Sequence, residues 1–120
     1  MQVYVQGSAE AVALYQKAFD AALVADFKNQ DGSYGHAELD VYGQILAVSE
    51  AENRRRARRG NNMQFCLHFD AQDKDKVTKA YEALKEGAHK AHPPDSCGWS
   101  PYVTGIVDRF GINWCIYITE

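Results

Sequence analysis

The chain has 120 residues, of which 46% are hydrophobic and 24% charged, a balance that indicates one soluble globular domain. No apolar run approaches the roughly 20 residues needed to cross a bilayer, and the first residues lack the pattern of a secretory signal, so we expect a cytoplasmic protein with no membrane partner. Three widely spaced cysteines without a CxxC pair argue against a disulfide framework and a structural zinc site.

The formal net charge of −3 comes from 13 basic and 16 acidic residues. Subtracting one arginine cluster leaves 8 basic against 16 acidic residues, a balance of −8 for the rest of the chain. Because an acidic surface repels a phosphate backbone, the composition predicts no nucleic-acid partner. We interpret the cluster as a solvated charge run, with an anion-binding patch as the alternative; it consists of Arg54, Arg55, Arg56, Arg58 and Arg59.

The first half begins with alternating residues around Val3 and Val5, typical of a half-buried strand. Ser8 is a good N-cap for the helix that the apolar spacing predicts over residues 9–19. A strand near 22–28, a turn at 29–32, and a hairpin formed by HAELDV and ILAVS follow. The predicted order is βαβββ.

The second half repeats this order. MQFCLHF at 63–69 alternates like a strand, and Val77, Ala80, Tyr81 and Leu84 form a helical stripe that Gly87 terminates. A short strand near 88–92, stopped by two prolines, precedes a hairpin of YVTGIV and NWCIYI. The turn DVYG at 40–43 matches DRFG at 108–111, and such internal repetition indicates two copies of one unit.

The fold prediction is therefore one α+β domain over residues 1–120. Module 1 covers about 1–51, a polar connector about 52–62, and module 2 about 63–120. We expect the two tandem βαβββ modules to form a curved, cup-shaped mixed sheet of eight strands, with the helices on its outer face.

The two-residue period separates two faces on these strands. One face is apolar enough to pack against the helices. The other is a mixture of polar and aromatic groups, which is typical of the lining of a small-molecule site. That second face is predicted to carry Tyr4, Gln6, His36, Glu38, Ser49, Gln64, Cys66, His68, Thr104, Asn113, Cys115 and Tyr117.

The tandem modules, the helix AVALYQKAF, the hairpin start GHAEL and the closing DRFGINW resemble PhnB-like proteins of the glyoxalase/bleomycin-resistance/dioxygenase superfamily, also called vicinal oxygen chelate proteins. The resemblance covers nearly the whole chain. It implies a cup around a ligand or metal site and a homodimer. A ubiquinone-pathway methyltransferase activity, a label borne by some PhnB-like sequences, is not expected, because no glycine-rich turn for a nucleotide-like cofactor is present.

The resemblance also implies where a metal would bind. In metal enzymes of this superfamily a His or Gln on the first strand and a Glu on the last strand of each module bind the ion. The matching positions are Gln64 and Cys115 in the second module and Ala47 in the first, with the remaining position at or before Met1. This set lacks the His and carboxylate ligands that a divalent metal prefers. Metal candidates from the sequence are accordingly Gln64, His68 and Cys115, and a divalent metal is a possible cofactor and not an expected one.

Three further residues form a candidate acid/base or metal cluster. His36 and Glu38 are two residues apart on one strand and point the same way, and His68 shares the predicted face. The alternative is that they only form a hydrogen-bonded polar surface of the sheet.

The segment Cys97-Gly98-Trp99 is predicted to be a loop over the cup, where Trp99 and Tyr102 could stack on a planar ligand. Cys66 and Cys115 are interpreted as small groups that fill space on adjacent strands. The His89 and His92 pair is not interpreted as a metal site.

The leading hypothesis is a PhnB-like protein that binds a small organic molecule in the cup without an obligatory metal. The predicted ligand-binding residues are Tyr4, Gln64, Cys66, Trp99, Tyr102, Asn113, Cys115 and Tyr117. The alternative is a metal-dependent lyase, isomerase or dioxygenase that uses His36, Glu38, His68 and Gln64.

Overall fold

The computed structural model of the protein describes residues 1–51, 60 and 62–120. The chain divides into two compact units, Met1–Arg58 and Arg59–Glu120. The arginine cluster lies outside the described residues, so its predicted solvated role stays a prediction. No helix in the described ranges has the length and apolar character that a membrane span requires.

The first unit has the predicted βαβββ order. Its sheet runs β1-β4-β3-β2, with β1 parallel to β4 and the other neighbours antiparallel. The elements are β1 (Gln2–Val5), α1 (Ser8–Phe19), β2 (Ala22–Lys28), β3 (Tyr34–Val41) and β4 (Gln44–Glu50).

The second unit repeats the order with one addition, a short strand β7 between β6 and β8. Its sheet runs β5-β9-β8-β6, β7 also pairs with β8, and β5 is parallel to β9. The elements are β5 (Phe65–Phe69), a 3₁₀ turn (Ala71–Asp73), α2 (Lys74–Leu84), β6 (Lys90–Ala91), β7 (Asp95–Cys97), β8 (Ser100–Val107) and β9 (Asn113–Ile118).

These elements confirm the α+β class and the two tandem modules. The strand count was wrong by one, because β7 follows two prolines and its three residues, Asp-Ser-Cys, have little strand propensity. Over the described residues the strands form a four-stranded and a five-stranded sheet, where eight strands in one sheet had been predicted. Cys97 accordingly ends a strand, and Gly98 and Trp99 form the turn that follows it.

The start of α1 differs from its prediction. Gly7, with a left-handed φ of 92°, is the N-cap, and Ser8 is the first helical residue. The Ser8 hydroxyl accepts a 2.8 Å hydrogen bond from the Tyr34 amide and donates to Glu50, so it links the helix to β3 and β4. The carboxylate of Glu50 accepts the free amides of Gly7 and Ser8, at 3.0 and 2.9 Å. A residue 42 positions away in sequence therefore caps this helix.

Each helix packs on the apolar face of its own sheet. In the first unit Tyr15 and Phe19 stack at 6.1 Å between ring centroids, and both are buried. In the second unit α2 lies against β8 and β9. Buried apolar residues on the core side of the strands include Val3, Val5, Ala37, Leu39, Val41, Leu46 and Val48 in the first unit, and Phe69, Ile106, Trp114, Ile116 and Ile118 in the second.

Candidate functional site

The face of the second sheet that lies opposite α2 is built by the alternation of β9 and β5. Trp114, Ile116 and Ile118 face the core, so Asn113, Cys115 and Tyr117 project to the other side. The register pairs Cys66 with Cys115 and His68 with Tyr117, which extends this side onto β5. We call this surface the open face of the second sheet; it carries Cys66, His68, Asn113, Cys115 and Tyr117, with Gln64 just before β5.

Three rings form a continuous aromatic surface on this open face. Tyr117 stacks on His68, with ring centroids 5.9 Å apart and planes inclined by 28°. Trp99, in the turn after β7, contacts Tyr117 edge-on at 4.9 Å and 87°. Trp99 is nonetheless 62% exposed, so most of its indole is free to contact another molecule. Exposed aromatic planes beside polar groups are typical of sites for flat organic ligands.

Amide and imidazole groups lie on or border the same face of the sheet as the rings. Gln64 Nε2 donates to Asn113 Oδ1 at 3.2 Å, which joins the ends of β5 and β9. His92 was set aside in the sequence, but its Cδ2 atom lies 3.9 Å from the position that a Cβ on Gly105 would occupy. Gly105 pairs with Cys115, so the imidazole of His92 borders the open face. A glycine inside a strand often marks a close approach by another group. Gly105 was therefore the sequence feature that could have pointed to His92.

Two of the three cysteines, Cys66 and Cys115, are register partners on this face. Cys66 and Cys97 are exposed, whereas Cys115 is only 8% exposed. Burial, with smaller contributions from Cys66 and Cys97, raises the pKa of Cys115 to about 11. Burial therefore disfavours the thiolate of Cys115, which is the form that reacts with electrophiles and binds metals.

The first sheet has an open face of its own, and it brings His36 and Glu38 together. His36 Nε2 lies 3.7 Å from Glu38 Oε1. Register neighbours of Glu38 on both sides are alanines, Ala25 and Ala47, so the carboxylate has room around it. Tyr4 and Phe27 also lie on this side and are 63% and 68% exposed. The pair belongs to the first unit, and His68 to the second.

The residues at the metal positions of the family do not fit a divalent ion. Ala47 has no donor atom, burial disfavours the thiolate of Cys115, and Gln64 is hydrogen-bonded to Asn113. Within residues 1–51, 60 and 62–120, no three His, Cys, Asp or Glu side chains are placed so that they could hold a metal ion. We therefore assign no chemical step to a metal.

Two residues expected on the open face of the second sheet lie on its helix side. Thr104 is buried opposite Ile116 and donates to the His92 carbonyl at 2.6 Å. Tyr102 contacts α2, where its hydroxyl is 2.7 Å from that of Thr78 and its ring lies beneath the ammonium of Lys74. Both were expected on the ligand-binding side. However, residues 102, 104 and 106 lie on the same face of β8, and Ile106 is buried, so Tyr102 and Thr104 also point toward the core.

Comparison with known proteins identifies the relatives of this architecture. The structure is similar to protein PA1353 from Pseudomonas aeruginosa, with a TM-score of 0.80 and 20% identity, covering 98% of this chain and 94% of that one. A PhnB protein from Bacillus cereus, described as a 3-demethylubiquinone-9 3-methyltransferase, gives a TM-score of 0.79 and 16% identity, covering 99% and 97%.

The structure is also similar to the fosfomycin resistance protein FosX from Listeria monocytogenes, solved as a mutant complexed with Mn(II) and a dihydroxypropylphosphonic acid. The TM-score is 0.73 and the identity 12%, covering 98% of this chain and 87% of that one. At these identities the likeness establishes the fold alone. Curated protein sequences gave no match. A family model, however, matches residues 1–116. The chain therefore belongs to the Glyoxalase/Bleomycin resistance protein/Dioxygenase superfamily.

Proposed function

We propose that this protein binds a small, flat organic molecule on the open face of its second sheet, without a metal ion. The observation that carries the proposal is the ring series Trp99–Tyr117–His68, whose outer member remains largely exposed. Contact of an exposed indole with water is unfavourable. A ligand that stacks on the indole gains both apolar burial and ring–ring attraction.

The surroundings of the rings indicate the class of ligand. Gln64 and Asn113 supply amide groups at one end of β9, and Cys115 supplies a small neutral side chain on the same strand. No lysine or arginine is among the residues that define this face. A neutral aromatic or conjugated compound with hydrogen-bonding substituents therefore fits better than an anionic one. Tyr102, which contacts α2, is not part of the proposed site.

The test is calorimetric titration of the metal-stripped protein with a panel of neutral aromatic compounds, preceded by a thermal-shift screen. We expect at least one compound to bind, and Trp99→Ala to weaken its binding about tenfold or more, as loss of a stacking partner predicts. Tyr102→Phe is the matched control, because it alters an aromatic residue on the opposite side of the same sheet. Binding that is unchanged in Trp99→Ala would contradict the proposal.

The metal-dependent enzyme remains the alternative, and a separate measurement distinguishes it from the binding protein. It requires ligands beyond the His36–Glu38 pair, and the described residues supply no third His, Cys, Asp or Glu beside that pair. Elemental analysis of the purified protein, showing about one metal ion per chain that is lost in His36→Ala, would favour the enzyme over the binding protein.

We further propose that the protein is a homodimer. Over the described residues β2 pairs with β3 alone, and its other edge bears no strand. Val24 and Phe27 on β2 are exposed, and an exposed apolar edge strand is usually covered by a partner. Light scattering should give twice the 13.4 kDa chain mass at micromolar concentration; a monomer would exclude this assembly.

A further inference from the structure

We infer that Cys66 and Cys115 form a redox-active dithiol, which peroxide converts to a disulfide bond between β5 and β9. This inference does not depend on the proposed ligand.

Register places the two residues for this bond. Cys66 and Cys115 are direct partners in the parallel pairing of β5 with β9, and both project to the open face. Neighbouring strands lie about 4.8 Å apart. That spacing is within the Cα separations that disulfides bridge, about 4.4 to 6.8 Å. As direct partners that project to the same face of adjacent strands, the two side chains lie side by side.

Cys66 and Cys115 differ in exposure, so each takes part in a different step of the reaction. Cys66 is exposed and meets the oxidant first, whereas Cys115 is buried and keeps its proton. The sulfur of Cys66 attacks one peroxide oxygen, the O–O bond breaks, and water leaves as Cys66 becomes a sulfenic acid. Cys115 then loses its proton, and its thiolate, adjacent to Cys66 in the register, attacks the Cys66 sulfur; the proton leaves with the displaced hydroxide as a second water. The two thiols together lose the two electrons that the peroxide gains.

The resulting bond is expected to be reversible. Cys66 is exposed, so the bond would be accessible to a reductant. Exposed disulfides are more easily reduced than buried structural ones. Cys97 is also exposed, but it lies on β7, and β8 stands between β7 and β9, the strand that carries Cys115. Cys66 therefore reaches Cys115 more directly than Cys97 does.

Peptide mapping after peroxide treatment tests this inference, because trypsin places each cysteine on its own fragment: 60–74, 91–109 and 110–120. We expect the intact protein to lose about 2 Da, the mass of two hydrogens, and fragments 60–74 and 110–120 to be joined. A phosphine reductant should reverse both changes.

Two single variants make the result specific. Cys66→Ser should abolish the 2 Da loss, whereas Cys97→Ser, an equally conservative change at the other exposed cysteine, should retain it. A disulfide that includes fragment 91–109, or oxygen addition without any disulfide, would overturn the inference. Because ligand titration uses the reduced protein, failure of the binding proposal and failure of this one are distinguishable.

Discussion

The indole Nε1 of Trp114 donates a 2.9 Å hydrogen bond to Oδ2 of Asp108, and both residues are fully buried. The other oxygen of the same carboxylate accepts the amides of Phe110 and Ile112, at 2.9 and 3.0 Å. One acidic side chain thus satisfies three donors and fixes the turn between β8 and β9 against the largest residue of the core.

Replacing Asp108 should be severely destabilising. In Asp108→Ala three donors lose their acceptor, two of them backbone amides and one a buried indole, and we expect the free energy of unfolding to fall by about 3 kcal/mol or more. Urea denaturation followed by circular dichroism measures it. The repeat supplies a control, because Asp40 at the matching turn of the first unit is exposed to water and accepts the Gly43 amide at 2.7 Å. Asp40→Ala should cost less than about 1 kcal/mol; equal losses would contradict the proposed difference.

Stability of the first unit should depend on the ionisation of Glu50. Burial opposes the charged form most strongly, but hydrogen bonds from Ser8 and Gly7 together outweigh it and lower the pKa of Glu50 below its ordinary 4.5. A depressed folded-state pKa gives stability that is present above the unfolded value and is lost as the pH falls through the folded one. Glu50→Gln should therefore reduce the free energy of unfolding at pH 7 and flatten its decline below about pH 4.5.

The control for this pH effect is Glu86→Gln, a change at an exposed glutamate of the second unit. Urea midpoints measured between pH 3 and 7 should be nearly parallel for this variant and the unaltered protein. If the urea midpoints of Glu50→Gln also run parallel to those of the unaltered protein, ionisation of the Glu50 carboxylate does not contribute to stability.

Cys115 should resist alkylation in the native protein. At pH 8 a thiol with a pKa of about 11 is ionised in only about one molecule per thousand, and only the thiolate reacts at an appreciable rate. Iodoacetamide should label fragments 60–74 and 91–109 and leave 110–120 unlabelled until urea is added. Rapid labelling of fragment 110–120 in the folded state would show that Cys115 is accessible and ionised.

The two tryptophans should differ in how strongly acrylamide quenches their fluorescence. Trp99 is exposed and Trp114 is fully buried, so acrylamide should quench the first and not the second. Trp99→Phe should leave a blue-shifted emission that acrylamide hardly affects. Strong quenching in this variant would mean that the core around Trp114 admits small molecules.

Local pattern was enough to predict most of the fold. The strand β9 was predicted to its observed bounds, and α1 to within one residue, because alternation and helical spacing are properties of consecutive residues. The apolar face was also assigned correctly at Val48 and Trp114. The aromatic surface was predicted in part, since Tyr117 and Trp99 were candidates before their contact was known.

Tyr102 and Thr104 show where local pattern misleads. Both are polar residues in a strand, and polarity alone suggests a solvated face. Each instead finds a hydrogen-bond partner on the helix side, Thr78 for Tyr102 and the His92 carbonyl for Thr104. A buried hydroxyl is stable only when such a partner is present, and a sequence pattern does not contain the partner's position.

The sequence by itself determined the βαβββ order, the repeat and the core face of most strands, because these follow from short-range periods of 2 and 3.6 residues. The strand β7 and the core face of β8 were decided only by the tertiary structure. The tertiary structure alone decided which distant groups meet: Glu50 with the start of α1, Trp99 with Tyr117, and Cys66 with Cys115. Those meetings depend on strand register and on turns that bring residues tens of positions apart into contact. The physical reason is that hydrogen bonds and ring contacts act over a few ångströms in space, irrespective of separation along the chain.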